Sequence, residues 1–193
     1  MTNRRTVFEL YKIDPEQVKK SASWFQEQTH KLATKKITPN RVLMENGENF
    51  TTNPIPGSMY YFAYDPKHKE TLPYYDRFPL VIPFSAQGDS FMGLNLHYLD
   101  YQMRMGLLQE LLKIAGMKHL NRTSKIKYNW ETVQSVAKLR PAQACVKMYL
   151  TSHMKSPFSE VLPEFWHTAM MLPVQRFVGA TNQAVWSESR KYK

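Results

Sequence analysis

Residues 54–99 read PIPGSMYYFAYDPKHKETLPYYDRFPLVIPFSAQGDSFMGLNLHYL, and no other stretch of the chain is so dense in strand-forming residues. It contains three runs of apolar, aromatic and β-branched residues, each bounded by Pro, Gly or Asp, which is typical of β-strands. The three runs cover residues 59–64, 79–84 and 90–99. A long polar loop over residues 65–77 joins the first two runs, and a Gly-Asp turn joins the second to the third.

Two features of these runs predict how the strands are arranged. Gly93 lies inside the third run and indicates a bulge or a sharp bend, while prolines at both ends of the second run place it near an edge or a barrel corner. Residues 145–154 are a candidate fourth strand, with a helix as the alternative. A last strand is expected near residues 176–178 or 184–186. The sequence therefore predicts an α+β fold built on a small SH3-like antiparallel β-barrel.

A helical pattern precedes this block. Asp14-Pro15-Glu16-Gln17 is typical of a helix start, because the Asp side chain accepts from free N–H groups and Pro suits the first helical position. Apolar residues then recur at steps of three and four as far as Leu32, and Pro39 ends the pattern. Residues 40–56 are interpreted as a connector, with a short strand or hairpin around residues 45–48.

Two further helices are predicted over residues 100–141. Asp100 is expected to cap the first and Asn129 the second, and the polar, basic segment 118–128 connects them. These patterns divide the chain into an N-terminal helical arm with its connector, residues 1–53, and a β-barrel domain, residues 54–193, with a helical insertion at about 100–141.

The charge of the chain is unevenly distributed. Lys and Arg outnumber Asp and Glu by 26 to 16, a net charge of +10. The net charge is +5 over residues 1–41, −3 over 42–99, +5 over 100–141 and +3 over 142–193. The strand block is therefore mildly acidic and its flanks are basic. Basic flanks suit nucleic acid, a membrane surface or an acidic protein partner, and the alternative is a solvated helix surface.

Cysteine usage and apolar runs restrict the cellular setting. The single cysteine, Cys145, excludes an internal disulfide and favours an intracellular origin or a particle assembled inside a cell. No apolar run reaches the roughly 18 residues that a transmembrane helix needs, so no membrane contact is expected. The first ten residues lack the apolar stretch of a signal peptide, so export is not expected.

Motifs of enzymes are missing from the sequence. There is no phosphate-binding Gly-rich loop, no dinucleotide fingerprint and no Gly-x-Ser-x-Gly elbow, and the six histidines show no metal-ligand spacing. The nearest candidate is His68 with Asp65, Glu70 and Asp76, which is either a metal or hydrolase cluster or simply a polar loop over the barrel mouth. His97 and Cys145 are expected to be structural. We expect no catalytic residue, no metal, no cofactor and no small-molecule substrate.

The basic segments are the best candidates for a binding surface. Basic side chains bind phosphates, and aromatic rings stack on exposed bases. The candidate nucleic-acid-binding residues are Lys118, Arg122, Lys125, Lys127, Tyr128 and Trp130 in the connector, and Lys19, Lys20, Lys35 and Lys36 at the ends of the N-terminal helix. The alternative is an exposed loop between helices. The pairs Tyr60-Tyr61 and Tyr74-Tyr75 could form a ligand-binding groove, or they complete the core.

Several segments resemble one family of phage proteins. They are GSMYYFAYDPK at 57–67, LPYYDRFPL at 72–80, FMGLNLHYL at 91–99, MYLTS at 148–152, and the pattern of Glu164, Phe165, Trp166, Leu172, Pro173 and Phe177. Over about residues 54–186 the chain is similar to virion proteins of T-even-type contractile-tailed phages, namely the DNA end protector family, minor head proteins that shield the packaged DNA terminus. No catalytic residues are transferred by this resemblance.

The resemblance implies a non-enzymatic virion protein, assembled in the host cytoplasm, at the head–tail connector or at the packaged DNA terminus. Its expected partners are a double-stranded DNA end and neighbouring virion subunits. One alternative is a tail or baseplate assembly protein without DNA contact. The other is a nuclease that uses Asp65, His68 and Asp76 of the polar loop.

Overall fold

The computed structural model describes residues 5–45 and 49–191, and within them the fold is α+β. The helices are α1 (Val7–Leu10), α2 (Ala22–Ala33), α3 (Pro39–Glu45), α4 (Tyr101–Gly116), α5 (Arg122–Ala137), α6 (Arg140–Gln143), α7 (Trp166–Met171) and α8 (Asn182–Lys191). The strands are β1 (Phe50–Thr51), β2 (Met59–Tyr61), β3 (Tyr75–Asp76), β4 (Leu80–Gln87), β5 (Ser90–Asn95), β6 (Val146–Leu150), β7 (Phe158–Val161) and β8 (Phe177–Val178). Short 3-10 helices cover Pro15–Gln17, Leu96–Tyr98, Thr151–His153 and Pro163–Phe165.

Six strands form one antiparallel sheet in the order β1-β7-β2-β4-β5-β6, while β3 and β8 form a separate pair. The edge strands β1 and β6 do not pair with each other, so the sheet is open and the prediction of a closed barrel is wrong. The physical reason lies in strand length. With two residues in β1 and three in β2, these strands are too short for the tilt and stagger that barrel closure requires.

The sheet nevertheless curls around a small aromatic core. The rings of Phe91 on β5 and Phe158 on β7 have centroids 5.3 Å apart. Three strand spacings separate β7 from β5, about 14 Å in a flat sheet, so the two edges must bend towards each other. Phe62 contacts both rings and fills the centre of this cluster. The sequence features that predicted a barrel therefore correspond to a strongly curved sheet that does not close.

Three of the predicted strands are confirmed with shifted ends. The second and third runs form the β4–β5 hairpin, and the fourth strand is β6. The predicted edge position of the second run is wrong, because β4 lies between β2 and β5. Its proline, Pro83, is accommodated at a bulge before Ser85 and opposite Gly93. A Cβ atom on Gly93 would lie 2.3 Å from Cγ1 of Val81, which explains the glycine.

The first and last of the predicted strands were only partly correct, and one strand was missed. The first run is a strand from Met59 to Tyr61 and then continues to an isolated bridge between Tyr64 and Met154. The last strand is Phe177–Val178, whereas residues 184–186 belong to helix α8. Strand β7 was not predicted, because its short sequence FSEV follows a proline and lacks a clear alternation.

The N-terminal helix differs from its prediction. Asp14 does cap a helix start, since its side chain accepts from the N–H of Glu16 at 3.0 Å, but this is only a 3-10 turn. The α-helix begins later, where Ser21 accepts from the N–H of Trp24 at 3.0 Å. Pro39 begins α3 instead of merely ending the preceding helix. In the predicted hairpin, residues 46–48 lie outside the described residues.

The helical insertion is confirmed between β5 and β6, with a corrected second cap. Asp100 caps α4 by accepting from the N–H of Met103 at 2.9 Å, as predicted. Asn121 caps α5 by accepting from the N–H of Ser124 at 2.8 Å, so α5 begins seven residues before Asn129, which is buried within the helix. The predicted connector over 118–128 is therefore mostly helix.

One hydrophobic core lies between the sheet and the helices. Phe8 of α1, Phe25 of α2 and Leu108 of α4 belong to it, together with residues from one face of the sheet. The N-terminal helices thus share a core with the rest of the chain. The division into residues 1–53 and 54–193 stays a prediction. None of the helices in the described part of the chain has the length and apolar character needed to cross a bilayer.

Candidate nucleic-acid interface

The basic and aromatic residues predicted in the connector lie on one helix and the turn before it. Lys118 is in the turn between α4 and α5, and the others are on α5. Three of them already make intramolecular contacts. Arg122 pairs with Glu160 at 3.0 Å, Nζ of Lys125 donates to the carbonyl of Ala115 at 2.7 Å, and Nε1 of Trp130 donates to the carbonyl of Phe84 at 2.9 Å. Lys125 and Trp130 therefore fasten α5 to α4 and to the sheet.

The remaining three residues face solvent. Lys118 and Lys127 are exposed, and neither forms an ion pair with any residue in the described ranges 5–45 and 49–191. Tyr128 is 47% exposed, which is unusual for so large a ring. Glu131 lies one turn beyond Lys127 on the same exposed side of α5, so this surface is not uniformly basic. Lys118 and Lys127 are thus available for phosphate contact, and the exposed ring of Tyr128 is available for base contact.

The N-terminal lysines do not form one cluster. Lys19 and Lys20 precede α2, Lys35 and Lys36 follow it, and all four are exposed. Because α2 has 12 residues, about 18 Å separate the two pairs. Lys20 and Lys113 line the same shallow depression, which brings Lys20 close to the last turn of α4, just before Lys118 in sequence.

The four residues suggested as an acidic cluster in the polar loop do not all meet at one point. Asp65 pairs with Lys69 at 2.9 Å, and His68 and Glu70 are exposed. Asp76 lies in β3 and is buried, so its carboxylate is not shared with Asp65 or Glu70. Among the described residues, no group of three or more His, Cys, Asp and Glu side chains is arranged to hold a metal ion.

Asp76 instead belongs to a buried hydrogen-bond network. Its Oδ1 accepts from the N–H of Phe78 at 3.1 Å and of Arg176 at 3.3 Å, and its Oδ2 faces Nδ1 of His97 at 2.7 Å and the amide of Asn95 at 3.4 Å. Burial opposes ionisation, but attraction to His97 and these hydrogen bonds hold the pKa of Asp76 below its ordinary value. Burial lowers the pKa of His97, and the attraction to Asp76 opposes this shift.

The polar loop does cover a pocket, which we call the loop pocket. Its volume is about 340 Å³. Tyrosine rings dominate its lining, and three basic side chains reach it. The lining includes the rings of Tyr64, Tyr75, Tyr98 and Tyr149 and the nitrogen-bearing side chains of Lys67, His68 and Lys147. Nζ of Lys147 lies 4.2 Å from the centroid of the Tyr98 ring, a cation–π contact. Asp76 and His68 both line this pocket, so the structure brings these two predicted residues together.

A second pocket of about 390 Å³ borders the loop pocket. It shares Tyr64 and Tyr75 with the loop pocket and is lined by Lys69, Arg77 and Lys155. The net charge of each sequence segment did not indicate these pockets. Their cations Lys147 and Lys155 come from β6 and the segment after it, whereas the loop itself belongs to the acidic strand block. The visible signals were only the unusual length of the loop and the Tyr74-Tyr75 pair.

Comparison with known proteins gives one family result. A family model described as phage T4 terminal DNA protecting protein matches residues 10–190. Neither curated proteins nor solved structures give a match. The match covers most of the chain and confirms the resemblance that the strand block and the later segments indicated.

Proposed function

The chain belongs to the family of the phage T4 terminal DNA protecting protein, and from that premise we propose that it binds the ends of double-stranded phage DNA without altering them chemically. We place it in the virion, at the packaged DNA terminus or the head–tail connector, in contact with neighbouring subunits. The observation that carries this proposal is the exposure of two cations that form no ion pair in the described residues, Lys118 before α5 and Lys127 on it, together with the exposed ring of Tyr128, which follows Lys127 in the chain.

The physical reason is the release of counterions. Each Lys that replaces condensed cations on duplex DNA contributes about −0.9 to the slope of log Kobs against log salt concentration. Lys118 and Lys127 are available for such contacts, because neither forms an ion pair with another residue of the described ranges. The contacts are independent of base sequence, as protection of an end requires.

The test uses the double variant Lys118→Ala, Lys127→Ala and linear duplex DNA. The salt slope is expected to fall in magnitude by about 1.8 relative to the unmodified protein. The control is Lys31→Ala, because Lys31 is already paired with Glu27 at 2.7 Å and should not contribute to the slope. Equal slopes for the double variant and the unmodified protein would contradict a role for these lysines.

A second experiment tests end binding itself. Labelled linear duplex DNA is digested by an exonuclease in the presence of the protein, and unlabelled linear or closed circular DNA is added as competitor. We expect the linear competitor to abolish the protection and the circular competitor to leave it unchanged. If no binding of linear DNA is detected at low salt, the proposal that the protein binds DNA ends is wrong.

One observation favours the alternative of an assembly protein without DNA contact. Met148 on the edge strand β6 is 65% exposed, and its cross-strand partner Met92 on β5 is 36% exposed. Neighbouring exposed methionines on one sheet face are typical of a surface that another subunit covers. Met148 also lines the loop pocket described above, so the test uses its partner Met92. Met92→Gln is expected to reduce incorporation into particles and to leave DNA binding unchanged.

A further inference from the structure

We propose that the loop pocket holds the terminal nucleotide of a DNA strand, with the base against Tyr75 and its phosphate at Lys147. This inference rests on the proposed function and assigns the end itself to a site distant in sequence from α5. The volume of about 340 Å³ falls within the range of about 300–1,000 Å³ that small-ligand sites occupy.

The rings of the pocket favour a flat apolar ligand over one that needs hydroxyl contacts. The hydroxyl of Tyr64 accepts from the N–H of Leu150 at 3.1 Å, and that of Tyr149 accepts from the amide of Asn95 at 3.0 Å. These two side chains are therefore held in the wall. Tyr75 is only half-buried and lines both pockets, so its ring is the one placed to stack on an entering base. Stacking of this kind tolerates every base, as an end-binding protein requires.

Cations line both of the pockets that Tyr75 borders. Lys147 is half-buried, lies over Tyr98 and has no carboxylate within salt-bridge distance in the part of the chain that the structure describes. The second pocket presents Arg77 and Lys155 beside the ion pair of Lys69 with Asp65. A strand that places its last base in the loop pocket thus carries its preceding phosphates past these two side chains. The arrangement alternates ring and cation along the path, which is the pattern of single-strand binding grooves.

A terminal nucleotide can enter the loop pocket more readily than an internal one. A base inside a duplex is paired and stacked on both faces, so its extrusion costs about a few kcal/mol, and this cost is smallest for a base that is already unpaired. A terminal unpaired nucleotide is therefore the form of DNA that can enter most readily. Free nucleotides share the same chemistry, so the experiment must separate the two sources.

The experiment measures 2-aminopurine fluorescence, which falls when the base stacks on an aromatic ring. The probe is placed at the terminal unpaired position of a duplex with a short overhang, and in a second DNA at an internal paired position. We expect quenching at the terminus only. Tyr75→Leu is expected to abolish this quenching and to weaken binding of the overhang duplex by about 5- to 150-fold, whereas Tyr75→Phe keeps both.

Two further variants distinguish loss of the binding site from loss of the fold. Lys147→Met leaves Tyr75 in place and is expected to reduce the salt slope for the overhang by about 0.7. The control is Phe50→Leu, which removes an exposed ring from β1 at the opposite edge of the sheet and should change neither quenching nor affinity. Unchanged quenching by a Tyr75→Leu variant that retains native circular dichroism would overturn the assignment.

Three results separate this inference from the function on which it rests. If the unmodified protein does not bind linear DNA, the proposed function fails and the pocket assignment with it. If the protein protects DNA ends but a terminal 2-aminopurine is not quenched, only the pocket assignment fails. If 2-aminopurine deoxyribonucleoside monophosphate binds as tightly as the overhang duplex, the pocket is a site for free nucleotides and the assignment to a DNA end is wrong.

Discussion

Replacing His167 by Leu is expected to remove a loss of stability at acidic pH. His167 is fully buried in α7, and neither ring nitrogen has a hydrogen-bond partner among the described residues. Burial, and to a smaller extent the charge of Lys12, lowers the pKa of His167 from 6.5 to about 4. The folded protein therefore keeps a neutral imidazole at a pH where the unfolded chain carries a charged one.

The magnitude follows from proton linkage. A group whose pKa is lower in the folded state binds fewer protons there, so the free energy of unfolding falls as pH drops below the unfolded pKa. With pKa values of 6.5 and about 4, the loss due to His167 is about 2 kcal/mol between pH 7.5 and pH 5, and about 3 kcal/mol by pH 4. At pH 7.5 and above, His167 is neutral in both the folded and the unfolded state, so it causes almost no loss in the free energy of unfolding.

The assay is urea unfolding followed by circular dichroism at pH 7.5 and pH 5. His167→Leu is expected to lose about 2 kcal/mol less than the unmodified protein over this interval. At pH 7.5 the variant should be at least as stable, because removing ring nitrogens that make no hydrogen bond leaves no partner unsatisfied. His97, whose pKa burial also lowers, is present in both proteins and cancels in the comparison.

A matched control is His30→Leu, since His30 lies on the exposed side of α2 and should keep the pH dependence of the unmodified protein. Equal losses of stability between the two pH values for His167→Leu and the unmodified protein would refute the reasoning. In that case the imidazole would be solvated or hydrogen-bonded in the folded state.

Two further predictions concern stability and are checked by urea unfolding at neutral pH. Gly57→Ala should lower the free energy of unfolding by about 1–3 kcal/mol, because φ at this residue is +91° and the added Cβ would lie 2.4 Å from the carbonyl oxygen of Ile126. Gly106→Ala, with open space around its Cβ in α4, should instead raise it by about 1 kcal/mol, and a loss there would contradict the account. Arg104→Met should cost about 3 kcal/mol, because the buried guanidinium donates to three main-chain carbonyl groups, and an unchanged midpoint would show that these bonds contribute nothing.

Patterns within about ten residues were sufficient for much of the fold. The β4–β5 hairpin and the Asp100 cap were predictable because each depends on close neighbours in sequence. The choice between Asn121 and Asn129 as the cap of α5 could not be predicted in this way. Both residues are good caps in isolation, and only the packing of the helix, which buries Asn129, decides between them.

The curl of the sheet could not be predicted from strand patterns. It depends on rings such as Phe91 and Phe158, which come from strands far apart in sequence and meet only after the sheet bends. The prediction of a closed barrel failed at the same point, since the pairing of edge strands is a property of the whole sheet.

The sequence by itself determined the α+β class, the aromatic strand block, the helical insertion and the resemblance that the family match confirmed. The tertiary structure alone decided where free charge and exposed rings meet. Counted along the chain, residues 42–99 have a net charge of −3. In space, the loop of this segment lies beside Lys147 and Lys155, and its Asp76 is withdrawn into a buried network. Electrostatic attraction depends on the distance between charges and not on their separation in sequence.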